Sequence, residues 1–272
     1  MQKFSTSPHE MLNSLWRNRN LISVSIKRDI AGRYRGSFMG ILWSFLTPLF
    51  MLTVYTFVFS FIFKARWGTS SDSKTEFALI LFSGLMVFSL FSECVNRAPS
   101  LITGNPNYVK KVIFPLEILP WINIGSALFH FSISLVVWMI VFSYLFGAPK
   151  VTTLYLPIVL LPLVFFTMGI CWALASLGVY IRDTSQLIGI ITSTLMFLSP
   201  IFYPVTAIPE NYRFLLYINP LTTVIESIRD VLFWGHAPDF KIIGAYTLAS
   251  VAIAWLGFFW FQKTRKGFAD VL

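Results

Sequence analysis

A chain of 272 residues has room for one large domain or two small ones. With 56% hydrophobic and 12% charged residues and a mean hydropathy of +0.71, it has too little polar surface to coat a water-soluble body of that size. That excludes a free cytosolic enzyme, and the 28 Phe, 10 Tyr and 9 Trp exclude a disordered chain. In so apolar a chain, the excess of 21 basic over 12 acidic residues, a net +9, reads as loops facing anionic lipid headgroups or an anionic cargo, with no call for nucleic acid.

Residues 1–37 are polar and basic and lack an early apolar run, so no cleavable signal peptide is expected and a later segment must drive insertion. Within them Leu12, Leu15, Ile22, Ile26 and Ile30 fall near one side of a helix, with Arg17, Lys27 and Arg28 on the other. This spacing predicts an amphipathic helix over 8–30 lying on the membrane face, interrupted where Arg17-Asn18-Arg19-Asn20 crowds polar groups onto the stripe.

Six apolar stretches follow, at 38–63, 77–98, 118–147, 151–181, 184–208 and 242–262. A spanning helix needs roughly 20 such residues, which predicts an all-α integral membrane protein with six transmembrane helices per subunit. The second stretch must carry Glu93 and Arg97, tolerable if they pair at the i, i+4 spacing or face protein. Pro48, Pro120, Pro157, Pro162, Pro200 and Pro204 lie inside apolar runs, where freed carbonyls need neighbouring protein or a wet cavity; a pathway between helices is expected. Residues 209–241 are too polar to cross and too long for a tight turn. Their apolar patches at 214–218 and 231–234 predict short re-entrant or interfacial helices in the outer leaflet, before the last span and a tail at 263–272. With this parse, fourteen basic residues fall on the side of the N-terminal segment and seven on the other, which predicts both termini in the cytoplasm.

Catalytic chemistry is sparse. His9, His130 and His236 are scattered without metal spacing, and Cys94 and Cys171 lie in apolar runs as small core residues. His130, inside an apolar helix, is a functional candidate by position but reads better as a satisfied interior histidine. Asp29, Asp183, Glu226 and Asp230 each have a basic neighbour within four positions and read as ion-pair partners. There is no GxxxxGK[ST] phosphate loop and no GxSxG elbow, so no catalytic residue, metal or cofactor is expected in this chain.

Four motifs in fixed order carry a resemblance. They are Lys27-Arg28-Asp29-Ile30-Ala31-Gly32-Arg33-Tyr34-Arg35-Gly36-Ser37 running into Gly40-Ile41-Leu42-Trp43 and Thr47-Pro48-Leu49; Asn105-Pro106-Asn107-Tyr108-Val109-Lys110-Lys111 through Phe114-Pro115 with Glu117-Ile118-Leu119-Pro120; Arg182-Asp183 followed by Ser199-Pro200-Ile201-Phe202-Tyr203-Pro204; and Asn219-Pro220-Leu221 with Arg229. Together with the closing Phe268-Ala269-Asp270, the pattern resembles the membrane subunit of ABC-2 type polysaccharide exporters, which move lipid-linked O-antigen, capsule or teichoic-acid chains across the bacterial cytoplasmic membrane.

The resemblance implies a homodimer, two nucleotide-binding ABC ATPase subunits that hold the ATP and magnesium, and a polymer channel along the dimer axis. It places a coupling helix within 100–113, where Asn105, Asn107, Tyr108, Lys110 and Lys111 are the candidate contacts to the ATPase. It also implies a cargo on polyprenyl diphosphate. Lys27, Arg28, Arg33 and Arg35 are candidates for that diphosphate because the arginine fork suits phosphate oxygens; membrane anchoring by the same charges is the alternative. Sugar faces stack on aromatic rings, so Tyr34 and Trp43 at the inner end and Tyr203, Tyr217 and Trp234 at the outer end are candidate channel aromatics. An ABC-2 exporter of a lipid or drug would share the architecture without a polymer-wide path. A membrane enzyme acting on polyprenol-linked sugars would need a carboxylate or histidine centre that the sequence does not display, and an ion-driven carrier would need buried charge at mid-bilayer.

Overall fold

The computed structural model describes residues 5–58, 74–110 and 114–272, and every regular element among them is helical. Helix α1 (Pro8–Arg17) starts where the Ser7 hydroxyl accepts the Glu10 N–H at 3.2 Å and Pro8 presets the first turn. Asn18 ends it by donating both its backbone N–H and its side-chain amide to the Ser14 carbonyl. The chain then continues as α2 (Arg19–Tyr34), so the amphipathic stretch is two helices broken inside the polar tetrapeptide, and the second outruns the boundary at 30. Ile22 and Ile30 are buried as the stripe requires, whereas Leu12 is 50% exposed and Met11 takes its place inside.

A 3-10 turn at Gly40–Leu42 leads into α3 (Trp43–Tyr55). The end of the first expected span, 59–63, lies outside the described residues, as do Lys64, Arg66 and Lys111. Then come α4 (Lys74–Arg97), the short α5 (Ser100–Thr103) and α6 (Pro106–Lys110), α7 (Leu119–Phe146), α8 (Leu156–Tyr180) and α9 (Thr184–Leu198). After α10 (Arg213–Ile218) and α11 (Pro220–Arg229), a π-helical turn at Asp230–Trp234 leads to α12 (Phe240–Thr264) and α13 (Phe268–Val271).

Among the described residues, five helical stretches are long and apolar enough to cross a membrane: Gly40–Val58, Thr75–Arg97, Leu116–Phe146, Val151–Tyr180 and Phe240–Val271. The chain is an all-α, multi-pass membrane protein. The fifth expected span is the exception, because α9 stops at Leu198 and does not run to 208. Its 15 residues extend about 22 Å, less than the roughly 30 Å of hydrocarbon. Ser199 leaves the helix in extended backbone ahead of Pro200, which has no N–H to continue the ladder.

Helix α4 is the centre of the bundle: 83% of its apolar window is buried, against 6% for the α3 stretch. It packs on α7, α8, α9 and α11, while α8 runs along α12 in the most extensive helix pairing. That pairing depends on glycine, since a Cβ on Gly257 would lie 2.0 Å from the Gly169 carbonyl oxygen. Buried indoles find backbone partners, Trp138 Nε1 donating to Leu79 O and Trp172 Nε1 to Glu117 O, both at 3.0 Å. Cys94 and Cys171 are buried and free, with the Cys171 thiol 3.5 Å from the Cys94 carbonyl.

The 209–241 region folds onto one end of α4. Asn219 caps α11 through the Leu221 N–H and donates to Ser199 Oγ at 2.8 Å, tying the Asn-Pro motif to the Ser-Pro motif. Arg229, whose residue exposure is 1%, then donates to Pro200 O at 2.7 Å, Ile201 O at 3.0 Å, Ile80 O at 3.4 Å and Glu226 Oε1 at 2.6 Å. One guanidinium therefore serves the carbonyls of the proline-broken turn and ties them to α4 through the Ile80 carbonyl, which also accepts the Ser83 hydroxyl.

Candidate functional site

At the other end of α4 the last turns of α2 meet α4 and α7. The helix ends at Tyr34 because Arg35 is extended and Gly36 takes φ +82°, a left-handed conformation that favours glycine; Gly40, at φ +53°, makes a second such bend before α3. Arg33 stands in this last turn, where a cation complements the helix dipole.

Arg33 Nη2 lies 2.5 Å from Glu93 Oε1 of α4, and its Nε lies 3.9 Å from Asp29 Oδ2 one turn earlier. Asp29 in turn receives Arg97 as a two-pronged pair, Nη1–Oδ2 at 3.0 Å and Nη2–Oδ1 at 2.8 Å. Glu93 and Arg97 therefore each pair with α2 instead of with one another. His130 Nδ1 of α7 sits 3.1 Å from both Glu93 oxygens, and its Nε2 lies 3.2 Å from the Tyr34 hydroxyl. Arg33 Nη1 also lies 3.4 Å from His130 Nδ1, so both ring nitrogens have polar partners and His130 is the satisfied interior histidine expected from sequence.

The electrostatics follow from these contacts. Burial pushes the Asp29 carboxyl up, but the Arg97 hydrogen bonds and the charges of Arg97 and Arg33 outweigh it and hold the group below its ordinary value. The Tyr34 phenol moves the other way, raised by burial and by the nearby Glu93 despite the Arg33 charge. Beside this cluster a cavity of about 370 Å³ opens between α3, α4 and α7. Ser44, Thr47, Ser89 and Ser134 line it together with Arg33 and His130, and Pro48, Met51, Phe82, Leu85 and Met86 make the rest of the wall apolar, so the cavity offers a polar edge and a greasy one.

Of the four cations singled out in the sequence, only Arg33 enters the cluster. Lys27 is exposed beside an apolar groove, Arg35 is exposed beyond the helix end, and Arg28 donates through Nη2 to the Tyr108 hydroxyl. That last contact joins two stretches that the sequence kept apart, the α2 cations and the proposed coupling segment. Tyr108 also stacks on Phe114 with ring centres 4.2 Å apart, and Asn105 anchors α6 by donating to Leu101 O at 3.0 Å. Asn107 and Lys110 are exposed, Lys110 Nζ reaching the Leu272 carbonyl.

The aromatic candidates are spread over both ends. Tyr34 lines the cavity and Trp43, 46% exposed, starts α3 nearby. Tyr203 donates to Phe197 O at 3.2 Å, while Tyr217 and Trp234 are exposed around the Arg229 end. They form no continuous track within one chain.

Sequence reasoning missed a second buried ion pair. Arg265 Nη1 lies 2.5 Å from Glu117 Oε2 and its Nη2 donates to Phe114 O, while the Ser14 hydroxyl reaches Glu117 Oε1 at 3.4 Å. This node joins α1, the approach to α7 and the end of α12. Its only sequence signal was a carboxylate set among apolar residues, the same signal that drew attention to Glu93. Among the described residues, no group of three or more His, Cys, Asp or Glu could hold a metal ion.

A family model described as ABC-2 type transporter matches residues 20–233, a stretch that contains α2, the cavity and the Arg229 clamp. The O-antigen export system permease protein RfbA of Myxococcus xanthus is 27% identical over 96% of this chain and 98% of its own length. An RfbA from Klebsiella pneumoniae is 26% identical over 93% of this chain and 95% of its own. The polysialic acid transport protein KpsM of Escherichia coli is 25% identical over 83% of this chain and 87% of its own.

Proposed function

The chain belongs to the ABC-2 type transporter family, and on that premise we propose that it is the membrane subunit of an ATP-driven exporter of lipid-linked polysaccharide. Its named relatives are O-antigen export permeases and a polysialic acid transport protein, and the O-antigen permeases match almost from end to end. The cargo in this reading is a glycan on polyprenyl diphosphate, passed through a channel between two copies in the bacterial inner membrane. In this reading α9 and the extended turn after it together complete a sixth crossing, so that both termini face the cytoplasm, where two separate ATPase subunits bind ATP and magnesium.

The observation that carries the reading is the Arg33 cluster: a guanidinium at a helix end followed by glycine bends, opening onto a cavity with hydroxyl and apolar walls beside the membrane-spanning core. The guanidinium fork suits a diphosphate, which an apolar drug lacks. The exposed apolar faces of α3 and α9, including Phe50, Ile190 and Phe197, suit a partner copy or lipid and support the dimer. The Arg28–Tyr108 contact supports a route by which motion of the coupling segment 100–113 reaches α2.

The test is co-purification with the cognate ATPase and measurement of ATP turnover in lipid nanodiscs. Polyprenyl-diphosphate-linked glycan should raise turnover, and charge reversal at Lys110 or Lys111, or Val109→Pro, should abolish the response. A response to apolar drugs or plain phospholipid, with none to the glycan, would favour the lipid or drug exporter.

A further inference from the structure

We infer that Glu93 is a built-in counterion that occupies Arg33 until the cargo's diphosphate takes its place, so that the anionic end is admitted by exchange of one anion for another. The nature of the incoming anion rests on the export reading above; the exchange rests on the cluster itself.

The first argument is charge balance. Arg33 and Arg97 face Asp29 and Glu93, two positive groups against two negative ones, with the His130 ring against Glu93. A diphosphate arriving at this cluster would meet two carboxylates already in place, so it binds Arg33 favourably only if one of them gives way. Asp29 is the poor candidate, because Arg97 grips both its oxygens. Glu93 is the good one. It holds Arg33 through one oxygen, and His130 Nδ1 at 3.1 Å keeps a hydrogen bond on the carboxylate after the guanidinium leaves.

The second argument is access. Arg33 lines the 370 Å³ cavity, so an anion there reaches the guanidinium without passing through the packed core. Arg35 is exposed two residues on, beyond the helix end, and offers a second cation for the second phosphate. Gly36, at φ +82°, and Gly40, at φ +53°, have open space where a Cβ would stand, so neighbours do not pack the linker between α2 and α3 in place. Releasing Glu93 loosens α2 from α4 beside this linker, while the Asp29–Arg97 pair keeps it attached one turn back.

The experiment uses the chain with its ATPase in phosphatidylcholine nanodiscs, with the nucleotide sites filled by a non-hydrolysable ATP analogue. Inorganic pyrophosphate is the first probe, measured by calorimetry. Glu93→Gln should bind it about tenfold more tightly than the parent, a gain of about 1.4 kcal/mol. Glu93→Asp, which keeps the charge and the fold but shortens the reach, should give a smaller gain in the same direction. Arg33→Gln should abolish binding, and the double variant should match Arg33→Gln alone.

A structural role for Glu93 would lower the unfolding temperature without tightening pyrophosphate. Unchanged or weaker binding by both Glu93 variants, or a gain that persists without Arg33, would overturn the exchange. Nanodiscs doped with farnesyl diphosphate should reproduce the gain, and those doped with phosphatidylglycerol should not; an equal gain with phosphatidylglycerol would overturn the choice of diphosphate. If pyrophosphate behaves as described while glycan leaves ATP turnover unchanged, the exchange stands and the export reading falls. The opposite pair of results separates them the other way.

Discussion

Arg229 and Arg33 face carboxylates at similar range, 2.6 Å from Glu226 and 2.5 Å from Glu93, at opposite ends of α4. Ile80 and Glu93, their contacts on that helix, are about 20 Å apart along it. The Arg229 side chain is 2% exposed and spends most of its donors on backbone carbonyls, which belong to the fold and cannot leave. The Arg33 side chain is 29% exposed, its partners are side chains, and a cavity and glycine bends adjoin it. What separates a strut from a site here is the kind of group on the other end of each hydrogen bond.

The widest test of that contrast is Arg229→Met. It should cost about 3 kcal/mol or more, because carbonyls of Pro200 and Ile201 lose their donor in a buried place. Thermal unfolding in detergent would read it, and a loss no larger than that of Arg33→Gln would erase the distinction. Gly257→Ala should cost about 1–3 kcal/mol by forcing α8 and α12 apart, whereas Gly244→Ala, with open space around it, should be close to neutral. The same unfolding assay compares the two.

Arg33→Gln should change stability by only about 1 kcal/mol, since the pair is partly exposed and His130 still serves Glu93. Glycan-stimulated ATP turnover, by contrast, should fall by about tenfold or more; retained stimulation would make Arg33 another strut. The smallest effect concerns acid. Because Asp29 is held below its ordinary value of 3.8, the unfolded state binds more protons, and its contribution is fully present above that value. It fades only as pH falls through the depressed folded value. Hydrogen exchange of α2 should therefore be unchanged between about pH 8 and 5 on account of Asp29, and opening within that window would assign the docking of α2 to another group.

Much of this was legible along the chain. Long apolar runs marked the helices, and the tetrapeptide at Arg17–Asn20 marked the break that Asn18 makes. A charge in an apolar run marked Glu93 and Arg97 as special, to be paired with each other or turned toward protein, and the structure takes the second way. Both side chains reach across to α2, which lies more than fifty residues earlier and which no local spacing brings near. The same holds for Arg265 and Glu117, and for the Arg28–Tyr108 bridge between two motifs read as separate. The shortened α9 was hidden for a related reason. Apolar composition continues past Leu198, but Ser199 is committed to Asn219 and the carbonyls of Pro200 and Ile201 to Arg229.

Composition and hydrophobic period alone settled the solvent of this protein and its helical class, because transfer free energy and backbone satisfaction in lipid depend on residue types in short windows. The order of its motifs pointed to its family. Tertiary structure alone decided which charges face one another, where the cavity lies and which helix falls short. Those depend on contacts between distant segments, and a guanidinium looks the same in the sequence whether a carbonyl or a carboxylate holds it.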